Sequence, residues 1–161
     1  MSTTLQPDPS WLQVDPEFYR HGGHSFGPGE MLALAEAKGE RALVYPASGG
    51  EEALSLANLG ATVSVFDSPE NSARARALAE QAGIAVTFLE GVPGSPEIPG
   101  GPYDTVYSSF GLLSALEFFD DWAGGIAGAL KTGGRLVIHD VHPAAYVPGV
   151  RKGVFAVAHS Y

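Results

Sequence analysis

Four short clusters of small and polar residues stand at the ends of apolar runs: Ala47-Ser48-Gly49-Gly50, Asp67-Ser68, Ser108-Ser109 and His139-Asp140. A turn of small residues that runs into a helix offers unpaired backbone N–H groups and lets a ligand approach the main chain closely. A carboxylate about 20 positions further on is placed to accept hydrogen bonds from ribose hydroxyls. Asp67 stands at that distance from Ala47. A plainer alternative exists for each part: Gly49 and Gly50 make a tight strand-to-helix turn, and Asp67 is half of an Asx-type cap. Taken together, turn and acid favour a small nucleotide-like ligand.

The histidines are the other titratable candidates. His139, Asp140 and His142 cluster after an apolar run, and His21 and His24 lie in a segment that could fold over the same region. Neutral imidazoles are common metal ligands, and a histidine can serve as general base toward a hydroxyl or amine. The alternative is that they are polar loop residues capping strand ends. No acidic ligand set with diagnostic spacing accompanies them, so no metal centre is expected. Phe118, Phe119 and Trp122 fall at helical spacing and read as core or interface, not as an aromatic cage. Tyr45 and Tyr107 border the candidate loops, where a buried tyrosine with a satisfied hydroxyl is the default. Glu117, Asp120 and Asp121 read as a solvated helix face.

The elements that must position these groups follow from the pattern. Residues 1–29, rich in Pro, Gly and His, form an irregular arm with one helical turn near Glu17 to Arg20. Residues 30–161 form a single domain. A helix is expected from Pro28 to Lys38, stopped by Gly39. Arg41 to Pro46 reads as a buried strand, followed at once by a helix with Glu51 and Glu52 in its first turn and Gly60 after its end. Thr62 to Phe66 is β-branched and strand-like, and Ser68 and Pro69 suit the N-cap and first position of a helix running to about Ala82, stopped by Gly83. Ile84 to Leu89 gives a third strand, Glu90 to Pro102 a Pro/Gly-rich loop, and Tyr103 to Ser108 a fourth strand. Ser114 to Leu130 reads as a helix and Arg135 to His139 as a fifth strand. Such alternation is the signature of right-handed βαβ crossovers. The expected fold is therefore α/β: a Rossmann-like three-layer α/β/α sandwich with a mostly parallel sheet of about five or six strands. Ligands of such sheets bind beyond the carboxyl ends of the strands, where the four polar clusters should converge.

Composition limits the partners. A chain of 161 residues, 45% hydrophobic and 17% charged, can bury a core of its own. Its net charge of -9 and the lack of a basic patch disfavour nucleic acid and anionic membrane surfaces. It contains no cysteine, which removes disulfides, thiolate metal sites and cysteine nucleophiles and is compatible with a cytoplasmic location. No apolar run reaches membrane-spanning length, and the first residues lack the charge and apolarity of a secretion signal.

Residues 41–143 resemble the class I S-adenosylmethionine-dependent methyltransferases. LVYPASGGEEAL is similar to their first motif, ATVSVFDSPENSARARALA to the second, YDTVYSSFGLL to the fourth-strand motif and LKTGGRLVIHD to the fifth-strand motif. The resemblance implies transfer of a methyl group from S-adenosylmethionine to a small-molecule acceptor. It implies cofactor contacts from Ala47, Ser48, Gly49 and Gly50 against the methionine and ribose portion, Asp67 on the ribose hydroxyls, Ser68 beside the adenosine, Gly91 after the third strand, and Ser108 at the methionine end. No catalytic residue is implied, because methyl transfer needs mainly an aligned nucleophile.

The sequence departs from the family pattern in three places. The first motif usually carries an acidic residue and three glycines, whereas here Val44 or Tyr45 precedes Pro46-Ala47-Ser48-Gly49-Gly50. An acid commonly follows the third strand, where this chain has Glu90-Gly91-Val92. The family sheet usually ends in an antiparallel hairpin, but here only Val154 to Tyr161 reads as one further strand. The fifth strand is then left as an open edge, which invites a homodimer through that edge or through exchange of the tail. Two alternatives follow: a degenerate methyltransferase-fold protein acting as a non-catalytic binding or assembly module, and a nicotinamide-dependent oxidoreductase. The latter is disfavoured because the turn lacks the G-x-G-x-x-G arrangement.

Overall fold

In the computed structural model, residues 14–92, 94–109, 119–140, 148–151 and 154–157 are described. Five apolar runs pair in one sheet: β1 (Arg41–Val44), β2 (Thr62–Asp67), β3 (Thr87–Glu90), β4 (Tyr103–Ser109) and β5 (Leu130–His139). Their order is β3-β2-β1-β4-β5, and each pairing is parallel. The fold is thus the Rossmann-like α/β arrangement. The order reverses between β1 and β4, the point at which two strand ends open a crevice in such sheets.

Among the described residues these strands alternate with helices α1 (Pro16–Arg20), α2 (Pro28–Leu34), α3 (Glu51–Asn58), α4 (Pro69–Ala82) and α5 (Phe119–Ala129). Alternation along each strand splits the core in two. Val44, Val63, Val65 and Tyr107 face a cluster built with Leu54, Leu56, Ala75 and Leu78. Leu43, Phe66 and Val106 face the other, with Trp122 and Ile126 of α5. Tyr19 and Phe26, from the N-terminal arm, are buried in the first cluster. Asn58 fixes the arm there by donating from Nδ2 to the carbonyls of Tyr19 and Gly23, each at 2.7 Å. No helix among the described residues is long and apolar enough to cross a membrane.

Several boundaries differ from expectation. Helix α2 stops at Leu34, not Lys38, because the chain turns to bury Ala37 and Gly39 donates its N–H to the Gly60 carbonyl at 2.9 Å. Strand β1 ends at Val44; the Tyr45–Pro46 peptide is cis. The third strand begins at Thr87, since Gly83 in the left-handed region and the Ile84 N–H bonded to Ala79 O spend residues 83–84 on closing α4. Leu130 belongs to β5 and not to the preceding helix: it pairs with Tyr103, and a register shift between Tyr103 and Thr105 absorbs the residues up to Arg135. The part of the expected helix from Ser114 to Glu117, and Phe118, lie outside the described residues. The tail carries two strands where one was expected. Pro148–Arg151 (β6) and Val154–Val157 (β7) pair antiparallel as a separate sheet.

Candidate functional site

Ala47 is buried at the end of the β1 extension, where its N–H is donated to Asp67 Oδ2 at 2.9 Å. Ser48 follows with φ 45°, in the left-handed region that few non-glycine residues occupy. Gly50, with φ 101°, is the N-cap of α3, and a Cβ placed there would stand 2.7 Å from Ala75 Cα. That glycine lets the N-terminus of α3 press against the backbone of α4. The face of Gly49 is covered by the carboxylate of Glu51, into which an added Cβ would run.

Asp67 closes the neighbouring strand and is only 1% exposed. Its Oδ1 accepts from Ser68 N at 2.7 Å and from Asn71 Nδ2 at 2.8 Å. With the Ala47 bond, three of the roughly four acceptor positions of a carboxylate are taken. Ser68 is the N-cap of α4, accepting from Asn71 N at 3.3 Å. Gly91 donates its N–H to the Asp67 carbonyl at 3.1 Å, and the ring of Phe66 lies over it where a side chain would otherwise stand. Ser108 is buried and donates from Oγ to the Tyr45 carbonyl at 2.5 Å. The structure therefore joins Ala47, Asp67 and Gly91 by hydrogen bonds, ties Ser108 into the β1 end, and places Ser48, Gly49, Gly50 and Ser68 at the two flanking helix starts.

Sequence reasoning missed a second set of polar groups on the β4 side. Ser109 donates from Oγ to Glu52 Oε1 at 2.9 Å, and the Ser48 hydroxyl lies 3.2 Å from that of Ser109. The other oxygen, Glu52 Oε2, is buried with no hydrogen-bond partner among the described residues. Burial pushes the Glu52 carboxyl up, beyond what the hydrogen bonds to its backbone N–H and Ser109 recover. Glu30 comes from α2, where it caps its own helix by accepting from Gly27 N at 2.9 Å. The same side chain accepts from the Tyr107 hydroxyl and lies 3.1 Å from His139 Nδ1. Burial raises the Glu30 carboxyl, but the bonds from Tyr107 and Gly27, with His139 beside it, outweigh that and hold it below the usual range. Burial and the Glu30 carboxylate push the Tyr107 phenol far upward. The Gly27-to-Glu30 spacing was a local signal for a capping residue. Nothing local announces contacts reaching from residue 30 to residues 107 and 139.

The histidines separate. His139 stands at the β5 end beside Glu30, next to Asp140. His24 is half-buried and stacks near Phe26, which in turn meets Tyr107. His21 caps α1, its ring nitrogen 2.8 Å from Glu17 O. His142 lies outside the described residues. Tyr45 and Tyr107 are fully buried with their hydroxyls bonded, to the Gly94 N–H and to Glu30 respectively. Trp122 is core, while Phe119, Asp120 and Asp121 are exposed.

Among solved structures, the chain is similar to an S-adenosylmethionine-dependent methyltransferase from Mesorhizobium loti, with a TM-score of 0.64 and 25% identity over 81% of this chain and 64% of that one. The fold is that of the class I methyltransferases. The likeness extends to a protein-L-isoaspartate O-methyltransferase, with a TM-score of 0.54 and 24% identity over 68% of this chain and 34% of that one. It extends also to a variant of MtNAS described in complex with S-adenosylmethionine, with a TM-score of 0.52 and 19% identity over 68% of this chain and 42% of that one. The chain thus spans less than two thirds of the length of these methyltransferase-fold neighbours. No family model and no curated protein matches the sequence.

Proposed function

We propose that the chain is an S-adenosylmethionine-dependent methyltransferase acting on a small molecule, with its site at the carboxyl ends of β1, β2 and β4. The observation that carries this reading is the convergence of the polar strand ends: Ala47 on Asp67 at 2.9 Å, and Ser48 on Ser109 at 3.2 Å. Solved structures of the same fold include an S-adenosylmethionine-dependent methyltransferase and a protein-L-isoaspartate O-methyltransferase, which supports this reading.

The donor set fits a cationic ligand. The partnerless buried oxygen of Glu52 is an acceptor that an ammonium N–H would satisfy, and its carboxylate charge would attract a sulfonium. S-adenosylmethionine would supply an electrophilic methyl group. The Ala47-to-Gly50 turn, Ser68, Gly91 and Ser108 would border it. Asp67 keeps one acceptor position, on Oδ2, for a ribose hydroxyl, and a second hydroxyl requires the Asn71 amide to give up its bond to Oδ1. A cation beside Glu52 would offset the burial that pushes its carboxyl up and would favour the charged carboxylate. Tyr107, bonded to Glu30, would keep α2 over the ends of β4 and β5 as a wall against water.

The largely occupied Asp67 carboxylate, with three internal hydrogen bonds, favours a second reading, a methyltransferase-fold module that binds without turnover. Isothermal titration with S-adenosylmethionine and S-adenosylhomocysteine, with NAD as control, separates these. Micromolar binding of both sulfur ligands and none of NAD is expected. No heat with either at millimolar concentration overturns the methyltransferase reading. Binding without methyl transfer to any member of a panel of small hydroxyl and amine acceptors favours the module.

A further inference from the structure

We propose that Glu51 is a displaceable latch on the binding turn, an internal carboxylate held over Gly49 by Arg74 in the place that a ligand's carboxylate takes. The proposal rests on the methyltransferase-type reading of the same site. Glu51 is the first residue of α3, yet its side chain does not point outward into water. It folds back so that its carboxyl group blocks the open face of Gly49, the residue of the turn whose missing side chain leaves backbone uncovered. Arg74 of α4 fixes it there, with Nη2 donating to Glu51 Oε1 at 2.9 Å.

The two partners differ in exposure in a way that suits exchange. The Arg74 side chain is 63% exposed and that of Glu51 22% exposed. The guanidinium therefore stays largely solvated and can trade one carboxylate for another without a burial cost, while the interaction itself is of the weak, surface kind. The first turn of α3 favours an anion at this position through its dipole, whichever molecule provides it. A ligand with a carboxylate can push Glu51 aside, take its place over Gly49 and inherit Arg74. A ligand without one meets the turn already capped and gains nothing from opening it. The latch thus discriminates in favour of ligands that end in an amino-acid carboxylate.

The test compares S-adenosylhomocysteine, which carries that carboxylate, with 5′-methylthioadenosine, which lacks it, by titration calorimetry on the wild-type protein, Glu51→Ala and Glu51→Gln. Both variants should bind S-adenosylhomocysteine about three- to fivefold more tightly, the scale of a surface ion pair that no longer competes. Binding of 5′-methylthioadenosine should not change. The double variant Glu51→Gln with Arg74→Gln should lose the gain. The latch is overturned if the two ligands respond alike to loss of Glu51, even though both bind. If neither ligand binds to any variant, the methyltransferase reading falls and the latch with it. Thermal melts of each variant show whether it is folded, and Glu51→Gln serves if Glu51→Ala is not.

Discussion

Asp67 accepts the backbone N–H of Ala47 at 2.9 Å across 20 positions of sequence, so the loop after β1 and the loop after β2 share one buried carboxylate. Removing it orphans the Ala47 and Ser68 N–H groups. We expect Asp67→Ala to cost about 2 to 6 kcal/mol, from two donors left unsatisfied, one buried and one half-buried, at about 1 to 3 kcal/mol each. Asp67→Asn, which keeps one acceptor oxygen, should cost less. Urea unfolding of the three proteins measures the order; equal midpoints would show that the tie contributes nothing.

Gly50 and Gly39 form a matched pair. Both have positive φ, 101° and 82°, but only Gly50 meets a neighbour, Ala75 Cα at 2.7 Å from the added Cβ. Gly39→Ala should cost about 1 kcal/mol, the strain of an alanine in the left-handed region. Gly50→Ala adds displacement of α4 from α3 and should cost at least about 2 kcal/mol more. Thermal denaturation resolves the difference.

The two half-buried acids titrate in opposite senses. Glu52 has a folded-state pKa raised by burial above its unfolded value of 4.5. Its contribution to stability is complete below pH 4.5 and is lost as pH rises through the folded value. Glu30 has a lowered folded pKa, so its contribution is present above pH 4.5 and is lost as pH falls through the folded value. Glu52→Gln should therefore raise stability at neutral pH and flatten its decline above pH 4.5. Glu30→Gln should lower neutral-pH stability and weaken acid sensitivity. Denaturant midpoints from pH 3 to 8 test both signs.

We propose that a second copy covers the β5 edge. Leu136 and Ile138, 37% and 41% exposed, sit on the same side of a strand that ends the sheet order. Exposed apolar edges pair readily. Light scattering at micromolar concentration should report a dimer, and Ile138→Lys a monomer. A monomeric wild-type mass removes the proposal.

The alternation of elements was legible because each strand is an apolar run bounded by Gly, Pro or a helix cap: Ser68-Pro69 opens α4 and Gly83 closes it as expected. Boundaries failed where tertiary contacts decide them. Gly39 stops α2 early because its N–H goes to Gly60, and Leu130 joins β5 because Tyr103 is there to pair with it. In the site, the turn and Asp67 could be found from spacing. The state of Asp67 could not, since it depends on Asn71 turning its amide inward. Glu52 read as an ordinary first-turn acid until Ser109 was seen to bind it across 57 positions.

The anchoring of Tyr19 and Phe26 in the core bears on how the gene can be cut and recombined. A fragment beginning at residue 30 would leave an apolar hole against Tyr107 and remove the carbonyls that Asn58 binds. The arm therefore travels with the sheet as inheritance: an exchange between related chains has to carry Tyr19 and Phe26 together with the Asn58 and Tyr107 that hold them.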